Sequence, residues 1–212
     1  LLTTLNCFGL KAGALTQNIL TLVKIGAVLA LVLLCFLLPG GSSANLQPFW
    51  PAESFSRMIG PFGVAMILAL GAYDGWIEIT YVGSELKNPA RDMALSVVWS
   101  TLLVAVLYVG VSLAVVYVLG QAATGRSTLV AADAMKVVLG PAGGGLITVA
   151  ILVSTIGCNN GQIFTAARIP YAMALNGNFF RWAAKLDPAR GTPNTALVVQ
   201  GFWASALALS GT

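Results

Sequence analysis

The chain has 212 residues, 58% of them hydrophobic and only 8% charged, with a mean hydropathy of +0.86. An ordinary soluble domain carries about 25% charged residues, so the composition excludes that class and points to an all-α integral membrane protein. The net charge of +4 is scattered or lies in loops, which argues against a nucleic-acid surface, and no histidine is present to serve as general base or metal ligand.

Five apolar segments reach the length of about 20 residues that a spanning helix needs. The first covers residues 14–38 and is closed by Pro39-Gly40-Gly41. Lys24 lies about ten residues into it, hence about 15 Å from its end. A lysine at that depth is too short to reach the interface comfortably, which makes it a candidate functional residue. It could supply a fixed positive charge at a cation site, or carry a proton.

The second segment, residues 62–85, contains LGAYDGWIEITYVGSE. Gly71, Asp74 and Gly75 are poor helix formers, and the segment is expected to break near residues 71–75. Such a break frees backbone N–H and C=O groups, tolerated in a bilayer only where protein or water covers them. Two half-helix ends at mid-membrane can hold a zwitterion, its amine on carbonyls and its carboxylate on amides. Gly71, Ala72, Tyr73, Asp74, Gly75 and Trp76 are therefore the candidate substrate-binding residues. At helical spacing Asp74, Glu78, Tyr81 and Glu85 would share one face.

The third segment covers residues 94–119. A short helical pattern follows at Leu129, Ala132, Met135 and Val138, read as a surface element. The fourth segment, residues 142–175, is long enough to tilt or project beyond the bilayer. It carries Gly157, Asn159, Asn160, Gly161, Gln162 and Thr165. Side-chain amides there face either a cavity or another helix, where they act as interhelical glue. The fifth segment, residues 195–212, runs to the end of the sequence. With no initiating methionine and an apolar end, the chain reads as an internal fragment, a single transmembrane domain over residues 1–212.

Lys11, Lys87, Arg91, Arg181, Lys185 and Arg190 fall on one side of the five spans, and Arg57, Arg126 and Lys136 on the other. The positive-inside rule places the richer side, with the N-terminal end, in the cytoplasm of a multi-pass cell-membrane protein. Arg168 belongs to the same cytoplasmic end. Cys7, Cys35 and Cys158 have no metal-ligand spacing and read as buried thiols. Gly140-Pro-Ala-Gly-Gly-Gly lacks the Lys-Ser/Thr of a phosphate loop. Tyr73-Asp74 lacks the second aspartate of an intramembrane protease, since residues 94–119 hold no acid. Neither metal, cofactor nor catalytic pair is expected, so the chain does not read as an enzyme.

AYDGW with SELKNPARDMALSV, STIGCNNGQIFTAARIPYAMALNGNFF and DPARGTPNTALVVQG resemble the L-type branch of the amino acid–polyamine–organocation (APC) transporters. The resemblance implies a leucine-transporter-like fold of two inverted five-helix repeats, this chain holding about spans five to nine. It implies secondary active transport of amino acids by alternating access, sodium-independent and working by exchange or proton coupling. The substrate amine would rest near Gly71 and Asp74, and Lys24 matches a lysine standing where sodium-coupled relatives bind a cation. Asn160-Gly161 matches an Asn-Gly pair facing the core, which makes Asn160 a further candidate substrate-binding residue. Gly71 stands where the family usually has a bulky aromatic gate, and Ile77 where it has asparagine, implying a roomier pocket and one lost polar contact. Asp74 is shared with members that accept cationic amino acids, so the partners implied are the bilayer and an amino acid, a basic one included. The alternative is a non-transporting subunit held by polar helix packing, with a continuous second span.

Overall fold

Long runs of Leu, Ala and Val leave no backbone group a partner in lipid except its own helix. The computed structural model describes residues 1–49, 54–83 and 86–211, with Leu10 described by its backbone alone, and is all-helical there. In chain order the helices are α1 (Leu2–Cys7), α2 (Leu10–Leu37), α3 (Phe55–Ala72), α4 (Glu78–Tyr81) and α5 (Pro89–Leu119). There follow α6 (Gln121–Thr124), α7 (Val130–Leu139), α8 (Pro141–Ala166), α9 (Arg168–Leu175) and α10 (Asn194–Ser210). Among the described residues, four helical stretches are long and apolar enough to cross a membrane: Lys11–Leu37, Phe55–Ala72, Pro89–Leu119 and Pro141–Leu175. Large apolar side chains such as Leu22, Ile67, Leu68, Trp99 and Val106 are exposed on them, as surfaces in contact with acyl chains are.

Helix α3 begins seven residues before the apolar run at Phe62 and passes through Pro61. Proline removes one internal hydrogen bond, but the flanking residues keep the helix going. The 17-residue α10 reaches about 25 Å. Glu85 lies outside the described residues.

The described residues form two compact units: residues 1–24, 77–95 and 152–212, and residues 25–76 and 96–151. The core of the second unit joins Leu31 and Cys35 of α2, Ala114, Val115 and Val118 of α5, Ala132, Ala134 and Met135 of α7, and Ile147 of α8. The short amphipathic helix α7 thus presents Ala132 and Met135 to a core rather than lying free. The carbonyl of Tyr117, near the end of α5, accepts from the backbone of Ser42 at 3.0 Å and from Asn45 Nδ2 at 2.8 Å, which satisfies a helix C-terminus. Ahead of α7, the Ser127 hydroxyl donates to Asp133 Oδ2 at 2.7 Å, and Lys136 Nζ meets Asp133 Oδ1 at 3.3 Å. The serine bond first, and then the lysine, hold the Asp133 carboxyl below its ordinary range.

In the first unit, the loop before α10 closes on Asp187. Its carboxylate accepts from the backbone of Ala189 at 2.9 Å and from Asn194 Nδ2 at 3.0 Å. Arg190 Nη1 then reaches the carbonyl of Cys7 at 3.1 Å. Arg168 is the cation expected at the cytoplasmic end of the fourth segment. It is buried, its guanidinium lying 4.0 Å above the Phe164 ring and donating to the Phe164 carbonyl. The aliphatic stem and the flat cation suit packing on an aromatic face.

Candidate functional site

The second apolar segment is interrupted. Helix α3 ends at Ala72, residues 73–77 form turns, and α4 starts at Glu78. The chain tightens at the end of α3, where the Tyr73 N–H donates to Leu70 O at 3.1 Å and Asp74 N–H to Gly71 O at 3.3 Å. Gly75 then adopts φ of +115°, a conformation that side-chain-bearing residues avoid. The Gly75 N–H turns back onto Asp74 Oδ1 at 3.0 Å. Gly71 stays helical, so the interruption lies two residues beyond the glycine pair's start. Asp74 thus stands in the turn and not on the helical face expected for it, while Glu78 and Tyr81 belong to the separate helix α4. Asp74 and Trp76 are exposed, and Tyr73 is half-buried.

The C-terminal carbonyl of α3 finds a donor on another helix. Tyr108 of α5 donates its hydroxyl to Ala72 O at 2.9 Å, and its ring meets Tyr73 edge-to-face at 5.4 Å. Gly71 to Trp76 and Tyr108 all belong to the second unit.

Lys24 and Asn160 belong to the first unit, where α2 packs against α8 through a polar ladder. Lys24 Nζ donates to Cys158 Sγ at 3.1 Å. Cys158 is exposed rather than buried; of the three cysteines Cys35 alone is fully buried. Seven residues back along α2, on the same face, Gln17 Oε1 accepts from Asn160 Nδ2 at 2.9 Å. Asn160 Oδ1 in turn accepts from Asn6 Nδ2 at 2.9 Å. Asn6 and Asn160 are wholly or almost wholly buried, and the relay Asn6–Asn160–Gln17 ties α1, α8 and α2 together. Asn6 Oδ1 has no hydrogen-bond partner among the described residues and lies against Gly13, where any Cβ would sit 2.6 Å from it. Small residues at Gly157 and Gly161 bring α8 close to Leu20 and Gln17.

Both ends of the Asn160 amide are taken. Asn160→Ala is therefore expected to leave the Asn6 and Gln17 amides without their partner and to destabilise the protein by about 1–3 kcal/mol. Thermal melting in detergent measures it, with the exposed Asn159→Ala as a near-neutral control.

Sequence reading misses Asn6, Gln17 and Tyr108. Gln17 carries a usable signal, a polar residue one heptad before Lys24 in an apolar helix. Asn6 and Tyr108 carry none, because their partners lie 154 and 36 residues away. Among the described residues no group of three or more His, Cys, Asp or Glu side chains could hold a metal ion.

The model of a family described as amino acid permease matches residues 1–211. The b(0,+)-type amino acid transporter 1 of Oryctolagus cuniculus is 29% identical over 213 residues, covering 100% of this chain and 43% of its own. That of Rattus norvegicus is 31% identical over 203 residues, covering 95% and 41%. The serine/threonine exchanger SteT of Bacillus subtilis (strain 168) is 32% identical over 210 residues, covering 94% and 45%. The chain spans less than half the length of these curated relatives.

Proposed function

The chain belongs to the amino acid permease family, within the L-type-like part of the APC superfamily, and from that premise we propose that the protein carries amino acids across a membrane. The mode is secondary active transport by alternating access, sodium-independent, driven by exchange or by a proton gradient. Its relatives named above are transporters, and this reading has no catalytic step.

The observation that carries the proposal is the interruption of an apolar helix over residues 73–77. An unwound turn in a bilayer exposes carbonyls that an ammonium group can meet. The substrate amine is assigned to the carbonyls around Gly71 and Ala72, with Tyr73, Gly75 and Trp76 shaping the turn. Asp74, exposed beside them, adds a negative charge that favours a cationic side chain. Lys24 supplies a fixed positive charge where a sodium-coupled carrier would hold its ion. Asn160, with both ends of its amide engaged, acts in this reading as a positioning residue for α8 rather than as a direct ligand. The expected setting is a cell membrane, with the N-terminal end of the chain cytoplasmic.

A non-transporting subunit held by polar packing would need a continuous helix from Leu70 to Thr80. The turns at residues 73–77 support transport over that reading.

Uptake of a labelled amino acid into proteoliposomes containing the full-length protein tests the proposal. Sodium-free uptake that requires an amino acid inside and ignores pH is the expected result for exchange; uptake driven by an inward proton gradient is the result for proton coupling. No uptake of neutral or cationic amino acids under either condition contradicts it.

A further inference from the structure

Ala72 is the last residue of α3, and its carbonyl is one of those a helix leaves without an internal donor. The two preceding carbonyls are satisfied within the chain turn, Leu70 O by Tyr73 N–H and Gly71 O by Asp74 N–H. Ala72 O takes its donor from α5, through the Tyr108 hydroxyl at 2.9 Å. The same side chain also fixes Tyr73, the first residue beyond the helix, by an edge-to-face ring contact at 5.4 Å and 74°. One side chain therefore clamps both the last carbonyl of the half-helix and the first residue of the turn.

A carbonyl oxygen has two lone pairs. With one of them bonded to Tyr108, the oxygen cannot swing freely, and the other lone pair keeps a defined direction beside the turn. We propose that Tyr108 is a positioning residue for substrate: its hydroxyl orients the Ala72 carbonyl so that the free lone pair receives the ammonium group of the transported amino acid. The inference rests on the transport reading above. Tyr108 need not touch the substrate; it prepays the ordering of the group that does.

The experiment is amino acid exchange in proteoliposomes of full-length protein, comparing wild type with Tyr108→Phe over a range of substrate concentrations. Phenylalanine keeps the ring contact with Tyr73 and loses only the hydroxyl. The expected result is a KM raised about threefold to tenfold, the equivalent of one ordinary hydrogen bond, with a maximal rate changed by less than about twofold. A purely structural hydroxyl would lower the amount of folded protein or its melting temperature and leave KM alone. Wild-type exchange with an unchanged KM in Tyr108→Phe overturns the inference and leaves the transport reading standing. A wild-type protein that exchanges no amino acid overturns that reading, and the inference with it. If Tyr108→Phe is not recovered in membranes, 4-aminophenylalanine at position 108, which keeps an N–H donor at the end of the ring, is compared with 4-methylphenylalanine, which fills the same space and has none. A lower KM for the amino variant supports the inference, and equal KM values overturn it.

Discussion

Gly143→Ala is expected to destabilise the protein by about 3 kcal/mol, the range of overpacking a closed contact. Gly143 lies in the first turn of α8, in the segment Gly140-Pro-Ala-Gly-Gly-Gly. A Cβ there would collide with the Met135 carbonyl oxygen and stand 2.7 Å from its carbon. Those atoms are backbone of α7, and Met135 itself is fully buried in the core of its unit, so relief requires a shift of one helix against the other. The two following glycines make the comparison internal. At Gly144 the nearest atom is the flexible Lys136 Cε at 2.9 Å, which can move aside, and at Gly145 nothing among the described residues lies within 4 Å. Alanine is a better helix former than glycine by about 1 kcal/mol. Melting temperatures should therefore fall by several degrees for Gly143→Ala, change little for Gly144→Ala and rise slightly for Gly145→Ala. Equal effects at all three positions would show that α7 and α8 do not make this approach. Within the run that resembles a phosphate loop, Gly143 is the glycine that lets α8 approach the backbone of α7.

Gly75→Ala is expected to lower transport by about tenfold or more while leaving the amount of folded protein nearly unchanged. Among the described residues no atom lies within 4 Å of the position a Cβ would take, so the substitution meets no steric obstacle there. Its cost comes from the backbone, since φ of +115° is a region that L-residues with side chains enter only at a penalty of about 1–3 kcal/mol. An alanine relieves that strain by rotating out of the region, which moves the Asp74 carboxylate bonded to the Gly75 N–H and the residues beyond it. A shift worth about 1.4 kcal/mol in substrate binding is already tenfold. Initial uptake rates normalised to reconstituted protein provide the measurement. A wild-type rate in Gly75→Ala would mean that the turn geometry is not part of the substrate path.

The long helices are legible because lipid demands long, uniformly apolar stretches: α2 and α5 lie over the first and third of them, while the fourth is divided at Ala167 between α8 and α9. The start of α3 is not, because Gly60-Pro61 looks like a stop while the helix runs through it. Gly71, Asp74 and Gly75 mark where the second segment cannot remain an ordinary helix, but composition alone cannot say which glycine bends. The strained φ falls at Gly75, and Gly71 stays in α3. Arg168 follows Phe164 by four residues, a helical spacing, and the structure lays its guanidinium over that ring. Tyr108, by contrast, is illegible. Its partner is a backbone carbonyl, and no side-chain pattern announces one.

The central claim is that the interrupted helix and the intramembrane lysine together serve amino acid transport. Exchange of labelled amino acid in proteoliposomes of full-length protein, measured for wild type, Asp74→Ala and Lys24→Ala at equal reconstitution, tests it most directly. The account predicts a loss of about tenfold or more in each variant, through a lost charge beside the carbonyls for Asp74 and a lost fixed cation bonded to Cys158 for Lys24. Wild-type exchange rates in both variants would contradict it.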